Sequence, residues 1–115
     1  MKQIVDTSVW IEHLKKPQIQ LIQLLEMDEV LTHSLVIGEL YIGHVKNREE
    51  IVSHLLTLPR AREASFQEVM GFVRQRRFFG KGIGWNDAQL LAAALLSGAA
   101  VFSYDQNLMR LARTL

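Results

Sequence analysis

Cysteine is absent from this 115-residue chain, so neither a disulfide nor a thiolate metal site can form. That excludes the disulfide-stapled scaffolds of small secreted domains. Proline occurs only at Pro17 and Pro59, both between periodic segments, and no Pro- or Ser-rich linker divides the chain. The longest stretch free of charged residues runs from Ala88 to Tyr104, and its 17 residues are broken by Ser97-Gly98. That is the short limit for a bilayer span, and the Ser-Gly pair reads as a turn. Asp6 comes too early for the apolar region of a signal peptide. No pair among His13, His33, His44 and His54 has the HxxxH or HExxH spacing of a zinc site. What is present is enough for a core: hydrophobic residues are 49% and charged residues 22%. The expectation is one cytoplasmic domain over residues 1–115, with no membrane segment and no tail left over to cover a site.

Net charge is +1, but it is unevenly spread. Residues 1–57 carry five Lys/Arg against eight Asp/Glu, and residues 58–115 carry eight against four. The second half can therefore present a basic surface to phosphates.

Hydrophobic spacing predicts alternating short strands and helices. Ile4-Val5, closed by Asp6, reads as a buried strand, and 8–14 as a helix stopped by Lys15-Lys16-Pro17. A second helix is expected over 18–27, a strand over 30–32, and helices over 35–45 and 48–56. Residues 58–63 make a poor strand, because Arg60, Arg62 and Glu63 crowd it. Phe66, Val69, Met70 and Val73 mark a helix that runs into the basic stretch Arg74–Arg77. A glycine-rich loop over 78–84 leads to an Ala/Leu-rich helix opened by Asp87 and closed by Gly98. An apolar strand over 99–104 and a helix over 105–113 follow. Such alternation predicts an α/β fold with a parallel sheet covered on both faces.

Three of the four aspartates hold comparable places. Asp6 and Asp105 follow strands, and Asp87 opens a helix. Parallel strands bring their carboxyl ends to one edge, where open α/β sheets bind ligands. Each of these aspartates also suits a helix N-cap, worth about 1 kcal/mol. Glu39 tips the balance toward a site. Its helical neighbours Leu35, Val36, Ile42 and Gly43 offer no charge, so a carboxylate on an apolar face would need a cation from elsewhere. A buried Lys or Arg is one candidate and a bound ion another. Gathered carboxylates raise one another's pKa, and a hard divalent ion such as Mg²⁺ or Mn²⁺ relieves that repulsion.

Ile4-Val5-Asp6-Thr7-Ser8 resembles the first motif of the PIN-domain ribonucleases, in particular the VapC-type toxins of toxin–antitoxin pairs. Gly38-Glu39-Leu40 resembles the second motif, and Gly82-Ile83-Gly84-Trp85-Asn86-Asp87-Ala88 the third. Phe102-Ser103-Tyr104-Asp105 is similar to the fourth, with serine in place of the usual threonine. The resemblance implies a three-layer α/β/α sandwich around a short parallel sheet of about four strands. The chain stops soon after its last helix, where relatives often add a final strand. It also has Asn107 where many relatives carry a further acid.

The resemblance implies a Mg²⁺-dependent endoribonuclease acting on structured RNA such as tRNA, with Asp6, Glu39, Asp87 and Asp105 as catalytic metal-site acids. Asp6 and Asp87 are the expected direct ligands. Thr7, Ser8 and Ser103 are candidates for positioning them, and Ser8 is also a candidate N-cap. Arg74, Arg76, Arg77 and Lys81 are candidate RNA contacts or a solvated helix end. Trp85 and Phe78 or Phe79 suit base stacking, core packing or a dimer contact, and Trp10 suits the core. The partners implied are RNA and a VapB-type antitoxin that places an Arg or Lys among the acids. Ile19, Ile22, Leu55 and Leu56 are expected to form the groove that receives it, or a homodimer face. A dehalogenase-type phosphatase would need an aspartate where Ser8 stands, and a receiver domain would need paired early acids. The alternative that survives is a PIN-like module that binds RNA or protein without cutting.

Overall fold

A computed structural model describes residues 1–115. Its three strands are β1 (Gln3–Val5), β2 (Val30–Leu31) and β3 (Ala100–Phe102), all parallel, in the order β2-β1-β3. The helices are α1 (Thr7–Lys15), α2 (Ile19–Glu26), α3 (Ser34–Ile42), α4 (Arg48–Leu55), α5 (Phe66–Arg76), α6 (Trp85–Ser97) and α7 (Gln106–Ala112). Ile4, Val5, Val30 and Val101 are buried, as expected of a parallel sheet covered by helices. Helix α6 lies against β1 and β3 and packs on α5, while α3 packs on α1 and α4. The α/β fold with a parallel sheet predicted from the alternation, and the sandwich implied by the resemblance, are observed.

The sheet has three strands instead of about four. Where residues 58–63 were expected to give a poor strand, a single parallel bridge joins Thr32 to Arg60. Thr32 N–H donates to Pro59 O at 2.9 Å, and Ala61 N–H to Thr32 O at 2.8 Å. Pro59 has no N–H to give a ladder, and charged Arg60, Arg62 and Glu63 have nothing to gain from a buried strand, so pairing ends there. The last strand is also shorter than the apolar run 99–104, because Tyr104 N–H donates to Ser8 Oγ instead of continuing the ladder.

Other differences are local. Helix α3 stops at Ile42, three residues before Val45, with Gly43 as its C-cap. Helix α6 starts at Trp85 with Gly84 as N-cap, so Asp87 stands at the third helical position instead of opening the helix. His33 caps α3, its Nδ1 accepting from Leu35 N–H at 3.0 Å. Burial is the largest influence on its imidazole and lowers its pKa. Trp10 is in the core, as expected. The four apolar residues assigned to one groove do not share a surface role: Leu55 is buried, while Ile19 and Leu56 are exposed.

Two glycines separate backbone conformation from space. A Cβ at Gly98 or at Gly38 would meet no atom within 4 Å, but Gly98 ends α6 with φ +60°. Gly98→Ala should therefore cost about 1 kcal/mol, the strain of a left-handed residue. Gly38→Ala, inside α3, should gain roughly 0.5–1 kcal/mol. Urea midpoints shifting in opposite directions would bear this out, and shifts of one sign would not.

Candidate functional site

Pairing of β1 with β3 sets the site. The register places Val5 beside Phe102, and Asp6 N–H extends the ladder to Phe102 O at 2.9 Å. Asp6 and Ser103 thus leave adjacent parallel strands at the same edge. Ser8 Oγ and Ser103 Oγ both donate to Asp6 Oδ2, at 2.9 and 2.7 Å. Each hydroxyl also accepts from the backbone, Ser8 from Tyr104 N–H and Ser103 from Asp105 N–H, both at 3.0 Å. One carboxylate oxygen is held both from α1 and from the residue after β3, and no hydrogen bond engages the other. Ser8 lies within the first turn of α1 and does not cap it.

The three aspartates turn out to occupy helix starts in three ways. Asp105 is a true N-cap: its Oδ1 accepts from Asn107 N–H at 2.9 Å and Leu108 N–H at 3.1 Å. Asp6 has the backbone position of an N-cap but makes no side-chain cap bond. Asp87 sits in the first turn of α6. Burial above all holds its carboxyl above the ordinary aspartate range, and the charges of Asp6 and Asp105 add to the effect. The Gly84 N–H opposes this, and Glu39 pushes the same way as the other acids. The electrostatic neighbours of Asp87 are thus the other three acids.

Glu39 is not where the apolar-face reading put it. It is exposed, and the neighbouring Ile42 is 84% exposed, so no buried cation is required. The buried face of α3 is made by Val36, Ile37 and Leu40, with Glu39 on its flank. Its partner is Thr7, whose buried hydroxyl donates to Glu39 Oε1 at 2.9 Å. None of the four acids is in an ion pair, the two in the molecule being Met1–Glu29 and Lys15–Glu12. No group of three or more His, Asp or Glu side chains is arranged to hold a metal ion.

Around the acids, Asn107 ties α7 to the glycine-rich loop, its Nδ2 donating to Lys81 O at 2.9 Å. An acid at this position would lack that N–H. The close approach needs Gly82, where a Cβ would stand 2.7 Å from Asn107 Nδ2. Arg74, Arg77 and Lys81 are exposed, whereas Arg76 is tied to Thr114 O at 3.1 Å. Of the candidate stacking residues only Phe78 is in the core, edge-on to Phe72. Phe79 is exposed, and Trp85 lies on the surface against Phe66, ring centroids 5.3 Å apart.

With this geometry the chain matches the model of the PIN domain family over residues 4–114. It belongs to that family. It is also 42% identical over 106 residues to Ribonuclease VapC32 of Mycobacterium tuberculosis (strain CDC 1551 / Oshkosh), covering 91% of this chain and 86% of the relative. The same values hold for Ribonuclease VapC32 of strain ATCC 25618 / H37Rv. The resemblance to VapC-type PIN ribonucleases, drawn from four short motifs, therefore extends across the chain.

The raised Asp87 pKa has a consequence for stability. An acid whose folded pKa exceeds its unfolded value destabilises the fold once ionised, so this contribution falls as pH rises through the folded pKa. In chelator, Asp87→Asn should melt above wild type at neutral pH. The gap should close below about pH 4, the ordinary aspartate value. A gap independent of pH would remove ionisation of the buried carboxyl as its cause.

Proposed function

We propose that this chain is a metal-dependent endoribonuclease, the toxin of a toxin–antitoxin pair, acting in the cytoplasm on structured RNA such as tRNA. The observation that carries the reading is that Asp6, Asp105 and Glu39 all act to raise the Asp87 pKa while none of the four acids is in an ion pair. Similarity to a protein named as a ribonuclease supports the substrate class.

A divalent ion suits the chemistry of the donors: all are oxygens, and their repulsion is uncompensated. No ready-made cage of three is needed, because Mg²⁺ keeps several waters and is commonly held by one or two carboxylates. Asp6 and Asp87 would hold it, with Asp105 and Glu39 completing the site directly or through water. When bound, it supplies Lewis-acid polarisation of the phosphodiester and acidification of a water. The chain's own residues fix the geometry. Ser8 and Ser103 orient Asp6, Thr7 orients Glu39, and the α7 backbone orients Asp105. The charges of Asp6 and Asp105 that add to the burial-raised pKa of Asp87 would be relieved by a bound cation. Arg74, Arg76, Arg77 and Lys81 remain candidate phosphate contacts.

The absence of a preformed metal cage favours one alternative, a PIN-like module that binds without cutting. Cleavage assays separate the two. With Mg²⁺, structured RNA should be cut at a few discrete positions, and chelator should stop the reaction. Asp6→Ala and Asp87→Ala should fall below about one hundredth of wild type, within the range for losing a positioned acid or base. Lys46→Ala should retain activity. Equal cleavage by wild type and Asp6→Ala would indicate a contaminant and favour the binding module.

A nuclease of the cell's own RNA must be restrained, and an acidic cleft is best blocked by a cation. The proposed restraint is a VapB-type antitoxin inserting an Arg or Lys among the acids of a homodimeric toxin. Expression of this chain alone should slow growth, and expression of Asp6→Ala should not. Harmless expression of a folded, RNA-cleaving protein would end the toxin reading and leave the nuclease reading standing.

A further inference from the structure

The largest cavity in the molecule, about 990 Å³, is not formed by the four acids. It lies between α2 and α7 at the end of β3, with Gln20 on one side and Gln106, Arg110 and Arg113 on the other. Phe102 and Tyr104 complete its wall. Ser103, which also lines it, donates to Asp6 and accepts from Asp105 N–H, so the groove begins where the acid cluster ends.

The chemistry of this groove is opposite to that of the acids. No carboxylate lines it. Arg110 and Arg113 are exposed, three positions apart at the end of α7, and neither is in an ion pair. Arg110 donates to the Asn107 amide, which orients the guanidinium without neutralising it. Tyr104 is 41% exposed, with its hydroxyl anchored on Gln18 Oε1 at 2.7 Å and its ring edge-on to Phe102. Two free guanidiniums, an anchored aromatic ring and neutral amides are the elements that grip single-stranded nucleic acid. Cations meet phosphates, the ring takes a base, and amides meet base edges or 2′-hydroxyls. A helix C-terminus favours cations through its dipole alone, but that does not place an aromatic wall and amides beside them.

There is also a physical need for such a groove. Four carboxylates repel a phosphodiester, so attraction for RNA must come from outside the cluster. With a net charge of +1 the chain has no general basic field to supply it. We infer that the α2–α7 groove holds the single-stranded RNA segment adjoining the scissile phosphate, Arg110 and Arg113 contacting its backbone and Tyr104 stacking on a base. This rests on the ribonuclease reading and extends it to how the strand is held.

The test reads binding apart from cleavage. A short fluorescent uridine oligonucleotide is titrated with the full chain in chelator, over a range of salt. Arg110→Ala with Arg113→Ala should weaken binding about tenfold. The slope of log K against log salt should shrink by about 1.4, since each single-strand phosphate contact contributes about 0.7. Arg110→Lys with Arg113→Lys should restore the slope, and Tyr104→Leu should weaken binding with the slope unchanged. Circular dichroism checks the fold of each variant. Wild-type affinity and slope in the double alanine variant would overturn the groove, as would a wild type with no salt-dependent binding. If the wild type binds through these arginines but never cuts with Mg²⁺, the ribonuclease reading falls and the groove stands. If it cuts and the double variant binds as well as wild type, the reverse holds.

Discussion

Everything at the site hangs on the register between β1 and β3. Three residues pair, Gln3 with Ala100, Ile4 with Val101 and Val5 with Phe102, and that ladder is continued by Asp6 N–H on Phe102 O. Slipping it by one residue would turn every side chain of the strand to the opposite face and carry Asp6 away from Ser103. The buried aliphatics Ile4, Val5 and Val101 resist such a slip, because each would have to leave the side chains it is packed against. The core thus specifies the position of a carboxylate that lies outside it.

On that ladder, hydrogen bonds divide the work within single carboxyl groups. Ser8 and Ser103 direct their protons to Asp6 Oδ2, and the first turn of α7 occupies Asp105 Oδ1. In each group a second oxygen is left without a hydrogen bond. Helix capping and site chemistry are therefore compatible duties for an aspartate: one oxygen stabilises the fold and the other is left for the site. At Asp87 burial above all displaces the carboxyl upward, and the charges of Asp6 and Asp105 add to the effect.

The α/β class was legible because strands and helices alternate with clear punctuation at Pro17, Gly98 and the glycine-rich loop. The places of Asp6 and Asp105 were legible because both sit directly at element boundaries, where chain direction fixes position, and Asp87 lies just inside its helix. Glu39 was legible as a residue but not in its surroundings. Helix α3 is apolar nearly all round, with Tyr41 and Ile42 exposed, so its own periodicity cannot reveal which face meets the core. Trp85 and Phe66 mislead in a similar way, since large apolar residues suggest burial and this pair shields itself by mutual contact. The groove between α2 and α7 could not be read at all, because Gln20 and Arg113 are neighbours only through the fold. The one local hint was Arg110 and Arg113 sharing a face of the last helix.

The same β1–β3 pairing has a consequence for the order of events in a cell. Asp6 and Ser103 are 97 residues apart in the chain, yet one hydrogen bond joins them. A ribosome making this protein produces Asp6 long before Asp105. No product that stops before Asp105 contains the complete set of acids, and the closing contact is strongly non-local. A nascent chain surrounded by ribosomal RNA therefore carries an unassembled site until Asp105 has been made. Truncated products share that property.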